Sequence, residues 1–141
     1  MPFRFLEDIA IADVAFEATG QTLEKVFEAA GNATTEVMVD PKQVELKIKR
    51  SIELDEKDPE RLLYVFLENL IFIKDVEGLL FGKMQLAINK NEAYHLSARL
   101  VGDKIDSSRQ ELRNDVKAVT YHMFELKQSK DGWTARVVLD I

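Results

Sequence analysis

Apolar residues along this chain recur with two periods, and the switches between them predict the order of the elements. In residues 9–18, Ala12, Val14, Phe16 and Ala18 fall on one face and Ile11, Asp13, Ala15 and Glu17 on the other. That alternation predicts a strand, and Gly20 ends it. Thr22 is placed to cap a helix, with Glu24 in its first turn opposing the dipole. Leu23, Val26, Phe27, Ala30, Ala33 and Val37 then repeat at helical spacing until Asp40-Pro41 closes the helix. Val44, Leu46 and Ile48 alternate with Glu45, Lys47 and Lys49, which predicts a strand with one wet face. Ile52 and Leu54 continue it after a break at Arg50-Ser51 that reads as a bulge.

Asp58-Pro59 is a helix start, an N-cap followed by proline at the first helical position. Leu62, Leu63, Phe66, Leu67, Leu70 and Ile73 form its apolar stripe, and Gly78 and Gly82 mark the turn out. Met84, Leu86 and Ile88 on one strand, and Tyr94, Leu96, Ala98 and Leu100 on the next, predict a hairpin through Lys90-Asn91. Residues 102–114 are polar and read as a long loop, a kind of segment that often carries function. Two last strands, 116–127 and 133–141, are joined through Ser129-Lys130-Asp131-Gly132. The order predicts an α+β fold: an antiparallel or mixed sheet with two helices on one face, in one domain over residues 1–141.

Composition narrows the function classes. The chain of 141 residues is 46% hydrophobic and 31% charged, ordinary for a globular protein. Its net charge of −6 argues against binding nucleic acid tightly through its whole surface. There is no cysteine, hence no disulfide, thiolate metal site or thiol nucleophile. No apolar run reaches the length of a membrane span, and the start lacks a basic stretch followed by an apolar one. The expected location is the cytoplasm.

Three residues stand out against the pattern. Asp13 sits inside a strand, where aspartate is disfavoured, and a solvent-facing edge position is the alternative to a ligand role. Asp140 lies at the tip of the last strand, followed by Ile141. A frayed tail would make it meaningless, but Ala135, Val137, Leu139 and Ile141 alternate to the last residue, which predicts a docked end. If the two strands lie together, their carboxylates and the terminal one converge and require a hard cation or a basic residue. Oxygen-only ligation suits Ca²⁺ or Mg²⁺, and the chain lacks the histidine and cysteine density of a zinc site. Lys117, on a face shared with Val119, Tyr121 and Met123, must snorkel or pair with an acid such as Asp13 or Asp140. His122 and His95 are the only histidines, and neither has a partner at catalytic spacing.

Read together, Ala12-Asp13-Val14, Gly20-Gln21-Thr22-Leu23-Glu24, Val116-Lys117-Ala118-Val119-Thr120-Tyr121-His122 and Leu139-Asp140-Ile141 resemble the archease family, nearly end to end. The resemblance implies a strand-helix-strand-strand unit with an inserted segment. It implies a non-enzymatic accessory protein that activates an RtcB-type RNA ligase in tRNA splicing by promoting its guanylylation and multiple turnover. An alternative role is that of a chaperone or specificity modulator for a partner such as a tRNA methyltransferase. It also implies a divalent cation, above all Ca²⁺ with Mg²⁺ or Mn²⁺ as alternatives, held by Asp13, Asp140 and a backbone or terminal oxygen of Ile141. Lys117 and His122 become contacts to a partner or a phosphate. The chain departs from the family pattern in having Ala10-Ile11-Ala12-Asp13 for His-Thr-Ala-Asp, and Arg109-Gln110-Glu111 where the loop usually carries a histidine.

Overall fold

A computed structural model describes residues 2–6 and 13–141. The elements in chain order are β1 (Phe3–Leu6), β2 (Asp13–Gly20), α1 (Leu23–Met38), β3 (Ile48–Glu56), α2 (Pro59–Glu77), β4 (Leu79–Lys90), β5 (Tyr94–Lys104), β6 (Ala118–Val119), β7 (Glu125–Ser129) and β8 (Gly132–Asp140). They form an α+β fold with two antiparallel sheets rather than one. The larger runs β1-β2-β8-β6, with β7 also paired to β8, and the smaller runs β3-β5-β4. Both helices contact strands of both sheets, so the helix pair is the middle layer. This is why α1 is buried nearly all round, from Leu23 and Val26 to Thr34 and Met38.

The helix boundaries are where side chains can replace missing backbone partners. Thr22 Oγ1 accepts from Lys25 N–H at 3.2 Å, and Asp58 accepts from Glu60 N–H ahead of Pro59. Such caps stabilise a helix by about 1 kcal/mol each. Gly78 ends α2 in the left-handed region at φ 66°, its N–H bonded to Lys74 O. At Gly102 the requirement is space: a Cβ there would overlap the Leu80 carbonyl oxygen and lie 2.7 Å from Phe81 Cα. The shared core holds Phe16, Phe27, Phe66, Leu67, Leu96, Leu100 and Leu139, all fully buried.

Several local expectations change. Residues 9–12 of the predicted first strand lie outside the described residues, and β2 begins at Asp13. The strand predicted from Val44 starts only at Ile48, because Asp40 accepts from Lys42 N–H and starts a 3₁₀ turn over Pro41–Gln43. No bulge occurs at Arg50-Ser51: the pairing with β5 is unbroken, and Arg50 occupies an inward row at the rim, bonded to Glu77 at 2.7 and 2.9 Å. The bulge lies in β4 instead, between Phe81 and Lys83. Thus Gly82 sits inside a strand that begins at Leu79, not in a turn.

The strand predicted over 116–127 is interrupted. Val119 faces Leu139 and Glu125 faces Arg136, so six steps on one side match three on the other. β6 and β7 lie along the same edge of β8, with the residues between them looped out. Met123, in that loop, has φ 56°.

Candidate functional site

The pairing of β2 with β8 places Asp13 directly opposite Asp140. Val14, Phe16, Val137 and Leu139 belong to the core, so alternation turns both aspartates to the face away from the helices. The Asp140 carbonyl accepts Lys117 N–H at 2.8 Å on the β6 side. Its main-chain groups therefore point away from β2, and Asp13 and Asp140 form a non-hydrogen-bonded pair. In that class the Cα atoms lie about 4.5 Å apart and the side chains are at their closest. Both aspartates are half-buried, and Ile141 packs against the core, so this end of β8 is docked.

The side-chain donors that this pairing brings together, those of Asp13 and Asp140, are carboxylate oxygens only. That chemistry fits a hard divalent cation and not a thiolate- or imidazole-selecting metal. Among the described residues no cluster of three or more His, Cys, Asp or Glu side chains forms a ready cage. Two carboxylates alone do not complete the six to eight oxygen ligands that such a cation takes.

Lys117 does not pair with these acids. It is exposed, makes no ion pair with a described residue, and lines a groove of about 300 Å³ along α2 with Tyr64, Glu68, Phe72 and Asp75. The local geometry explains the change. Ala118, not Lys117, is the partner of Asp140, while Lys117 supplies the N–H to its carbonyl, so two residues face one as in a β-bulge. Its link to the site is through the main chain. His122 is exposed in the loop between β6 and β7, not on a half-buried strand face. His95 is on the other sheet, bonded to Asp55 at 2.8 Å and Glu53 at 3.1 Å. Those carboxylates, Asp55 first, raise its pKa above the ordinary histidine value.

An aromatic cluster beside the looped-out segment was not read from the sequence. Tyr121 stacks on Tyr64 with ring centroids 4.3 Å apart, and Arg61 donates to the Tyr121 hydroxyl at 2.7 Å. Tyr64 donates to Val119 O at 3.0 Å, tying α2 to β6. Burial, reinforced by the neighbouring Tyr121 hydroxyl, pushes the Tyr64 phenol up to about 12. The only hint was a tyrosine within an otherwise apolar helix stripe.

The long loop after β5 has a structural explanation. Arg109 bridges Asp106, Asp103 and Glu45 at 2.9–3.0 Å. Gln110 is buried, accepting from Asp106 N–H and donating to Lys104 O. Those bonds account for an amide at this position. Ala10 lies outside the described residues.

Two layers of antiparallel sheet around a helix pair, with a carboxylate pair at the end of the last strand, define an α+β protein. Comparison with known proteins is specific. The family model of the Archease protein family matches residues 3–141. The archease of Thermococcus gammatolerans is 41% identical over 132 residues, covering 92% of this chain and 93% of that one. The Pyrococcus furiosus archease is 39% identical with the same coverage. The solution structure of protein 1598 from Methanobacterium thermoautotrophicum superposes with a TM-score of 0.87 at 40% identity, covering 99% of both chains. A crystal structure from Thermotoga maritima, described as an archease and possible chaperone, shares the fold at a TM-score of 0.64 and 18% identity, covering 96% of both chains. The chain belongs to the archease family. No helix among the described residues is long and apolar enough to cross a membrane.

Proposed function

We propose that this protein is a non-enzymatic activator of an RtcB-type tRNA-splicing RNA ligase, working in the cytoplasm and promoting ligase guanylylation and multiple turnover. Asp13, Asp140 and the main-chain oxygen of Ile141 hold a divalent cation, Ca²⁺ before Mg²⁺ or Mn²⁺. The observation that carries this reading is the direct Asp13–Asp140 pairing, two like charges set face to face with oxygen donors only. A bound cation supplies a positive charge that accepts further oxygen ligands from a phosphate or a partner carboxylate. Lys117 and His122, both exposed, are the contacts offered to that partner. Tight binding of the RNA is left to the ligase.

The test is guanylylation of the ligase from the same organism with wild type, Asp13→Ala, Asp140→Ala and Lys117→Ala. Stimulation by wild type and loss with the aspartate variants are expected. Equal stimulation by all four removes the site, and none by wild type removes the function.

One observation favours a second reading, a chaperone or specificity modulator of a partner such as a tRNA methyltransferase. Phe72 and Val76 are 55% and 68% exposed one turn apart on α2. That reading predicts suppression of partner aggregation that survives loss of both aspartates.

A further inference from the structure

The outer face of the β3-β5-β4 sheet carries a concentration of positive charge on an acidic protein. Pairing puts Lys49, Val101 and Lys83 in one row, and Ser51, Arg99 and Gln85 in the next. Lys49 and Lys83 are therefore two strand spacings apart, about 10 Å, and Arg99 is one pleat repeat further along, about 7 Å. These six residues border a shallow hollow of about 470 Å³. The β4 bulge lies immediately before Lys83, where a bulge bends the strand and re-aims the next side chain.

None of the three cations forms an ion pair with a described residue, although ten other lysines and arginines do. The nearby acids are engaged elsewhere: Glu77 with Arg50, Glu45 with Lys47 and Arg109, and Glu53 with His95. Like charges on neighbouring strands destabilise a sheet unless a counter-charge arrives. Lys49 and Lys83 lie on edge strands, where lysine also discourages edge pairing, but Arg99 is on the central strand, where that purpose does not apply.

We propose that this hollow binds the phosphate backbone of an RNA strand, independently of base sequence. The chemistry separates this occupant from an acidic protein segment. Protein interfaces are built around aromatic or other large apolar side chains and are depleted of lysine at their centre. Here the only apolar side chain in the two rows is Val101, among cations and neutral hydrogen-bonding groups. These two rows carry no aromatic on which a base would stack, so the contact is with phosphate and is weak. It agrees with the expectation that the chain does not bind nucleic acid tightly. The choice of RNA as the polyanion rests on the proposed role beside an RNA ligase.

The experiment is fluorescence anisotropy of a labelled oligouridylate with the full chain across a salt series. Wild type is compared with Lys49→Gln, Lys83→Gln, Arg99→Gln and the triple variant. All three residues are exposed, and circular dichroism checks that each variant folds. Three neutralised phosphates on a single strand give a slope of log K against log salt of about −2, or about a twenty-fold loss between 50 and 200 mM. Each single variant reduces the slope by about 0.7, and the triple variant abolishes binding. No binding by wild type at low salt, an unchanged triple variant, or equal binding of a poly-glutamate of matched charge overturns the proposal. Guanylylation of the ligase without RNA is measured in parallel. It is expected to be unchanged in the triple variant, so failure of the RNA arm is distinguished from failure of the activator reading.

Discussion

Replacing Asp140 with asparagine removes one of two like charges while keeping the shape of the side chain. Across a non-hydrogen-bonded pair the Cβ atoms are about 5 Å apart, and the charges are taken at that separation. Their repulsion is about 0.8 kcal/mol in water and about 3 kcal/mol at an effective dielectric of 20. Both residues are half-buried. Cross-strand charge pairs fall near the lower figure, so about 1 kcal/mol is the working value. In chelator, Asp140→Asn is therefore expected to be more stable than wild type by about 1 kcal/mol, about 3 °C in melting temperature for a chain of this size. If the proposed site takes calcium, the order is expected to reverse. At a hundred times the dissociation constant a ligand stabilises the protein that binds it by ~2.7 kcal/mol, and a variant that has lost a ligating group is expected to gain little. Scanning calorimetry in chelator and in excess Ca²⁺ measures both differences. A variant that melts below wild type in chelator, or that gains as much from calcium, refutes the reasoning.

Two further outcomes follow from the packing and the charges. Gly102→Ala drives a Cβ into the Leu80 carbonyl and is expected to destabilise by about 3 kcal/mol, whereas Gly78→Ala has open space and costs about 1 kcal/mol for its positive φ; urea midpoints that rank the two in the opposite order contradict the packing account. The His95 pKa is raised by Asp55 and then Glu53, so the stabilisation from this cluster is full below about pH 6.5 and is lost as pH rises through the folded-state value. The melting-temperature gap between wild type and His95→Gln should shrink as pH rises above neutrality, and a gap constant with pH removes the histidine's charge from the account.

Elements with a strong period were legible in the chain. Both helices carry an apolar stripe behind a capping residue, and the β4–β5 hairpin and β8 alternate cleanly. What failed was non-local. Nothing in the order of elements says that the strands divide into two sheets, because the division depends on which strands pair across the helix layer. Arg50 broke the visible alternation, yet it sits in an inward row because Glu77 meets it at the rim. The four residues of β1 are too few to alternate convincingly.

At the candidate site, alternation turned Asp13 and Asp140 outward from the core, but only the register of β2 on β8 brings them together. Lys117 was misplaced because the 116–127 segment is not one continuous strand, and a local irregularity there changes what each side chain faces. The Tyr64–Tyr121 stack joins residues from a helix and a loop, and no sequence spacing encodes such a meeting. The basic rows on β3, β5 and β4 were likewise invisible, since each strand alone shows an ordinary exposed lysine or arginine.

The helix pair between the sheets has an electrostatic consequence. The aspartates and the cations lie on the outward faces of different sheets. A helix layer with a sheet on either side separates those faces by about 20 Å. At physiological ionic strength the screening length is about 8 Å, so neither cluster neutralises the potential of the other. A molecule of net charge −6 thereby keeps one positive pole, and an approaching ligand senses the pole in front of it rather than the sum.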